Sequence, residues 1–342
     1  MAQHRPADEG PRPFLILVAI ILILLALGAL FAAIRLFLAP SLAVVREQGS
    51  IDAVFCRTAD CEQALVGWIA NATDVRCAFY ELDLNRTAMA LNNVGASVLI
   101  FDENLERAKR TGLVAIGVPS AGLMHDKFCV LDDWGVVTGS MNPTVTAQTR
   151  NDEHLLFLRS RALNRAYARE WGVLEDRALG GTGKKPRVNA PLVELSGTPV
   201  DVCFSPAEGC EADLVAVIDR ANASIRFLTF SFTSDEIGDA LVRAYDRGVD
   251  VSGVVERRQV DKWSEYDALR LVGIPMRKDG NAGTMHHKVF IIDNTTVVTG
   301  SFNPTANANT RNDENMLIIR GAALAREYLD EYERVWIAAS PD

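Results

Sequence analysis

The stretch MHDKFCVLDDWGVVTGSMNPTVTAQTRNDEHLLFL, from Met124 to Leu158, returns as MHHKVFIIDNTTVVTGSFNPTANANTRNDENMLII, from Met285 to Ile319, without a gap and at a constant offset of 161 residues. Weaker similarity runs upstream, where VFCRTADCEQALVGWIANAT from Val54 matches VCFSPAEGCEADLVAVIDRANAS from Val202. Gly112 stands before His125 as Gly273 stands before His286, and downstream Tyr167 and Trp171 echo Tyr332 and Trp336 on amphipathic segments. The chain is a duplication, with repeat 1 at 50–177 and repeat 2 at 198–342.

Between the copies, the stretch ALGGTGKKPRVNAP, from Ala178 to Pro191, has the Gly, Pro and charge content of a connector, and the linker is set at 178–197. Within each copy, strand-like runs (Val98–Phe101, Val251–Val255) alternate with helix-like ones (Glu62–Ala70, Glu211–Ala221). That alternation predicts an α/β fold, each repeat a β-sheet flanked by helices. Repeat 2 is longer around ERRQVDKWSEYDALRLVG, which predicts an asymmetric rim.

With 342 residues, 49% of them hydrophobic and 23% charged, the chain has the material for a large core, and wholesale disorder is excluded. The net charge of −9 argues against a globally basic nucleic-acid coat. From Phe14 to Ile34 no charge interrupts FLILVAIILILLALGALFAAI, which as a helix is long enough for a hydrocarbon core of roughly 30 Å. The expectation is a tail at 1–13 and one transmembrane helix at 14–39, hence a single-pass membrane protein. Arg5 and Arg12 before the span balance Arg35 and Arg46 after it, so charge does not orient it. Cys56 and Cys61, and at matching places Cys203 and Cys210, are close enough for local disulfides, which would set the catalytic part outside the cytoplasm; packed thiols are the alternative. Cys77 and Cys129, in apolar strand-like runs, are expected as inert core thiols.

Side chains two apart on a strand share a face, so His125 with Lys127, and His286 with Lys288, point together. Two-residue turns at Asp133–Trp134 and Asn294–Thr295 would set His125 opposite Asn142, Lys127 opposite Ser140, His286 opposite Asn303 and Lys288 opposite Ser301. Each hairpin then presents an imidazole, an ammonium, an amide and a hydroxyl on one patch. Such a patch suits a phosphodiester, whose reaction gathers charge on oxygens that Lys127, Ser140, Asn142, Lys288, Ser301 and Asn303 can bind without a metal or other cofactor. One patch holds one histidine, whereas a nucleophile and a general acid make two, so the two patches are expected to face each other. Both half-sites lie in one chain, and no oligomer is required.

Glu153 follows His125 at the interval at which Glu314 follows His286, and both are assigned as carboxylates that fix an imidazole tautomer and stabilise the imidazolium. Asp132 and Asp293 close the strands as turn anchors, with a direct catalytic role as the weaker reading. His154 and His287 have no counterpart in the other copy, where Asn315 and Asp126 stand, and are read as noncatalytic.

These residues resemble the phospholipase D superfamily, whose H-x-K-x4-D followed by G-S and a nearby Asn stands here as His125, Lys127, Asp132, Gly139, Ser140, Asn142 and again as His286, Lys288, Asp293, Gly300, Ser301, Asn303. The resemblance covers nearly all of 50–342. It implies two α/β lobes packed as a pseudo-two-fold dimer, an active site at their interface, and a metal-independent phosphohistidine mechanism in which the His, Lys and Asp residues count as catalytic. GSFNPT, NDEN and SFTSDEIGDAL look most like the nuclease-type branch, with Pro143 and Pro304 where that branch often has Trp. The expected substrate is therefore a nucleic-acid phosphodiester, with a membrane phospholipid as the alternative.

Overall fold

The computed structural model describes residues 44–183 and 191–340, together with Leu17, Ile21, Leu22 and Leu24, which are helical. The tail at 1–13 and, those four positions apart, the expected span at 14–39 lie outside the described residues, as does the basic part of the linker. Among the described residues no helix is long and apolar enough to cross a membrane. The unit that carries both repeats begins at Val44.

In chain order the strands are β1 (Val45–Glu47), then from repeat 1 β2 (Ser50–Phe55), β3 (Val75–Phe79), β4 (Ser97–Phe101), β5 (Ile116–Val118), β6 (Lys127–Leu131), β7 (Gly135–Gly139) and β8 (His154–Arg159). There follow β9 (Val193–Leu195) and, from repeat 2, β10 (Thr198–Ser205), β11 (Ser224–Thr229), β12 (Asp250–Val255), β13 (Met276–Lys278), β14 (Lys288–Ile292), β15 (Thr296–Gly300) and β16 (Glu314–Arg320). Repeat 1 forms a seven-stranded sheet in the order β2-β8-β7-β6-β3-β4-β5. Repeat 2 repeats that order as β10-β16-β15-β14-β11-β12-β13 and is extended by β9 and β1, so a strand ahead of repeat 1 and one inside the linker both join the second sheet.

The central strands KFCVL and KVFII are buried along their whole length, as continuous apolar runs covered on both faces should be. Helices Arg161–Ala178 and Ala322–Ala338 cover their own sheets and reach β10 and β2 respectively. A single core cluster therefore holds Phe128 and Tyr167 of one repeat with Phe204 and Tyr328 of the other. Here the matching of Tyr167 and Trp171 to Tyr332 and Trp336 needs correction. Tyr167 packs edge-on against Phe204 and Tyr328 edge-on against Phe55, so Tyr167 corresponds to Tyr328, at the same 161-residue offset as the motif.

Two further expectations are revised. The hairpins do not turn through two residues: Leu131 pairs with Gly135 and Ile292 with Thr296, leaving three-residue loops and a register one step from the expected one. Asp132 and Asp293 take left-handed backbone angles (φ 45° and 52°), and their carboxylates gather backbone N–H groups from Thr73 and Asp74 and from Asn222, Ala223 and Ser224. A one-residue slip would turn Ser140 away from its intended face. A bulge stands there instead: Gly139 sits at φ 139°, the N–H groups of Ser140 and Met141 both reach the His154 carbonyl, and the buried Ser140 and Ser301 hydroxyls are taken up by Glu153 and Glu314 rather than facing the expected phosphate patch. Only glycine fits, since a Cβ at Gly139 would stand 2.4 Å from that oxygen and one at Gly300 2.3 Å from the Asn315 oxygen.

The second revision concerns cysteine. Cys56–Cys61 and Cys203–Cys210 are disulfides, and so is Cys77–Cys129, in place of the two free thiols expected there. Cys77 on β3 lies directly opposite Cys129 on β6, a cross-strand adjacency invisible without the pairing. Denatured without reductant, the protein should take up no iodoacetamide, and after reduction six equivalents; two thiols alkylated before reduction would remove the cross-strand bridge.

Candidate active site

The site is built where the two repeats exchange backbone. In each copy the N-D-E run approaches the segment preceding the other copy's histidine: the His125 N–H donates to the Asp313 carbonyl and the His286 N–H to the Asp152 carbonyl, both at 2.9 Å. The Asp313 N–H returns to Leu123 and the Asp152 N–H to Thr284, both at 2.8 Å. That crossing carries each glutamate to the opposite histidine. His125 Nδ1 meets Glu314 Oε2 at 2.7 Å, and His286 Nδ1 meets the Glu153 carboxylate at 2.9 Å. Both carboxylates are fully buried and both imidazoles nearly so.

Lys127 and Lys288 begin β6 and β14, two residues beyond the histidines, and are buried. Each ammonium donates to the carbonyl of its own histidine, Lys288 to His286 at 2.7 Å. Tyr80 and Phe230, at the ends of β3 and β11, wall the two halves. Tyr80 stands edge-on to His125 at 5.1 Å and Phe230 edge-on to His286 at 4.7 Å, and each lies beneath its lysine, at 5.3 and 5.1 Å. Neither aromatic was singled out from the sequence; their equivalent places after β3 and β11 were the available signal.

Burial dominates the electrostatics. It pushes Lys127 down to about 8 against the pull of Glu314 and Glu153, and sends Lys288 well below its ordinary value. Burial likewise lowers His286 to about 4, against Glu153, and His125 well below its ordinary value, helped by Lys127 and Lys288. The glutamates diverge. Burial raises Glu314 to about 7, whereas for Glu153 it is outweighed by His286, Lys288 and Ser140, which hold the carboxyl below its ordinary range.

The remaining expected residues fall into three pairs. Asn142 and Asn303 have side-chain carbonyl oxygens that are buried with no partner among the described residues, so neither amide is fixed at its oxygen. Their loops are held by the following prolines: the Pro143 carbonyl accepts from Asp83 and Leu84, and the Pro304 carbonyl from Thr233 and Ser234. Thr144 and Thr305 then cap the short helices Val145–Thr149 and Ala306–Thr310. Ser140 lies behind the patch. Its hydroxyl donates to Glu153 at 2.8 Å, and Ser301 serves Glu314 in the same way while accepting the Asn315 N–H at 3.0 Å.

Asp132 and Asp293 stand at the far ends of β6 and β14, about 15 Å along the strand from the lysines. Burial would raise both carboxyls, but the donated backbone N–H groups outweigh it and hold them below their ordinary value. Their stabilisation is accordingly present above the unfolded carboxylate pKa and lost as pH falls through the lower folded one. Asp132→Ala should cost roughly 1–3 kcal/mol in urea unfolding while leaving kcat per folded molecule within about twofold. A kcat loss of the size expected for His125 would instead make it catalytic. Among the described residues, no three His, Cys, Asp or Glu side chains are placed to share a metal ion.

The family described as "Cardiolipin synthase, PLD-like domain" matches residues 87–172 and 214–336. A phospholipase D of Rickettsia conorii is 39% identical over 142 residues, 41% of this chain and 71% of that protein. The human mitochondrial cardiolipin hydrolase is 34% identical over 157 residues, 45% of this chain and 62% of its own length. In fold, the phosphatidylserine synthase of Haemophilus influenzae superposes with a TM-score of 0.63 at 15% identity, over 83% of this chain and 85% of the other.

Proposed function

Because the chain belongs to the phospholipase D superfamily and is a phosphodiester-hydrolysing enzyme, we propose that it hydrolyses phospholipid phosphodiesters at a membrane through a covalent phosphohistidine. The observation that carries the reaction is the crossed pair of dyads, His125 with Glu314 and His286 with Glu153. A carboxylate on Nδ1 leaves Nε2 to meet the substrate. One neutral imidazole attacks phosphorus through Nε2, and the bond from phosphorus to the alcohol oxygen breaks as that oxygen takes the proton of the other imidazole, which the incoming phosphodiester anion and the buried glutamate hold protonated against the burial that lowers it in the free site. That second imidazole, now neutral, removes a proton from water; the hydroxide oxygen bonds to phosphorus, the P–N bond breaks, and both rings return to their starting states. Lys127, Lys288, Asn142 and Asn303 hold the non-bridging oxygens.

Three observations favour a lipid over a nucleic acid: the names carried by the two sequence relatives, the apolar run from Phe14 to Ile34 as an anchor, and the net charge of −9. Three disulfides support an oxidising compartment for the catalytic unit. The test is a parallel assay of the full chain, in detergent, on mixed phospholipid micelles, single-stranded DNA and RNA. Release of phosphatidic acid is expected, unaffected by EDTA. Faster cleavage of either nucleic acid would replace this reading with the nuclease-type one, and loss of activity in EDTA would reveal a required metal.

A further inference from the structure

The two dyads are related by the duplication, but what stands behind them is not. Behind Glu153–His286, the Ser140 hydroxyl that donates to Glu153 lies 3.2 Å from His154 Nδ1, and the same nitrogen is 2.9 Å from His287 Nδ1. His154 Nε2 is 2.9 Å from the Thr299 hydroxyl, and His287 Nε2 is 2.8 Å from Glu331 Oε1. Arg334 holds Glu331 at 2.7 and 2.8 Å and reaches on to Asp152. Because His287 follows His286 and Asp152 precedes Glu153, the chain of contacts closes on the dyad from both sides. Both extra histidines are fully buried.

Behind Glu314–His125 the corresponding places hold Asn315 and Asp126. The Asn315 amide donates to Asp126 at 2.7 Å, and its oxygen accepts from Thr138 at 2.8 Å and Tyr167 at 3.0 Å. That arrangement pairs an amide with a carboxylate and places no imidazole where the histidine pair stands. The histidine pair has a consistent hydrogen placement: His287 donates from Nε2 to Glu331 and accepts at Nδ1 from His154, whose Nε2 accepts from Thr299. It differs in being able to gain a proton on His154 Nε2, with Thr299 turning to accept.

We propose that His154, His287 and Glu331 are positioning residues that serve the Glu153–His286 half of the site alone, holding Ser140 on Glu153 and making the two catalytic histidines unequal in proton affinity. The proposal rests on the dyads being catalytic. Among the described residues, the groups that face His286 and this chain are Glu153, Lys127, Lys288 and Asp152, with Arg57 3.8 Å from Asp152 and with Arg334 and Tyr328 from the C-terminal helix.

Exchange of the two backings tests it. The full chain is assayed on bis(4-nitrophenyl) phosphate across pH, whatever its natural substrate. His154→Asn with His287→Asp gives the Glu153–His286 half the other half's residues and places a carboxylate beside His286. It should lower kcat about tenfold to a hundredfold with KM unchanged, and move one limb of the pH–kcat profile to higher pH. Glu331→Gln, which removes a negative charge from the same chain, should move that limb to lower pH. The converse exchange, Asn315→His with Asp126→His, should leave it in place. Limbs unmoved in both the first exchange and Glu331→Gln would overturn the proposal, and so would a converse exchange that moves the same limb. If the double variant fails to fold by circular dichroism, Glu331→Gln decides alone. Activity retained in His286→Ala would instead defeat the dyad reading itself.

Discussion

His125→Ala and His286→Ala should each reduce kcat by at least about 10⁴-fold, although the two residues lie in different repeats. If each repeat carried its own site, either variant would keep about half the activity. The crossing argues against that, because each histidine takes its carboxylate from the other copy and feels the other copy's lysine as well as its own. The leaving group separates the two roles. With 4-nitrophenolate, which departs without a proton, the variant lacking the general acid should still form the phosphohistidine and then stall, whereas the variant lacking the nucleophile should form none. Phosphorylated protein detected by mass spectrometry in one variant and not the other assigns the order. Substantial turnover in either variant contradicts the shared site.

Glu153→Gln and Glu314→Gln should each lower kcat by about 10²-fold or more, since an amide neither stabilises imidazolium nor enforces the tautomer. The geometry predicts where each is felt. Glu153→Gln should lower the proton affinity of His286, which it touches, and to a smaller extent that of His125, which it also raises, whereas Glu314→Gln should act on His125, its hydrogen-bond partner, and spare His286, as read from ¹⁵N-histidine titrations. The glutamates also differ in their stability signatures. Glu314, raised by burial from 4.5 to about 7, contributes stability that is present below its unfolded pKa and lost as pH rises through about 7. Glu314→Gln should flatten that part of the stability curve in urea titrations at pH 5 and 8. Glu153, held below its ordinary value, contributes in the opposite sense, its share lost only as pH falls through the lower folded value.

Much of the candidate site was legible because duplication supplies its own control: residues kept at the same offset in both copies stand out from their neighbours. His125, Lys127 and Glu153, with His286, Lys288 and Glu314, are brought together as that offset suggested. Asp132 and Asp293 do anchor the turns. The crossing was not legible, because repeats related by symmetry leave open whether a glutamate serves its own histidine or its counterpart's. The hairpin register failed for a local reason: an aspartate that collects backbone N–H groups lengthens the loop by one residue, and a glycine bulge follows seven residues later. The Cys77–Cys129 bridge needed strand pairing across 52 residues, and both cysteines lie in runs that read as core. His154 and His287 were set aside because they break the repeat, and that break distinguishes the two halves.

The most direct test of a single shared site is a crystal structure with vanadate bound, which takes the trigonal-bipyramidal shape of phosphoryl transfer. The account predicts a single vanadium between the repeats, with Nε2 of His125 and Nε2 of His286 on its two apical sides and the lysine ammonium groups on its equatorial oxygens. Vanadate bound to one histidine with the other ring turned away, or two separate vanadates, would contradict it.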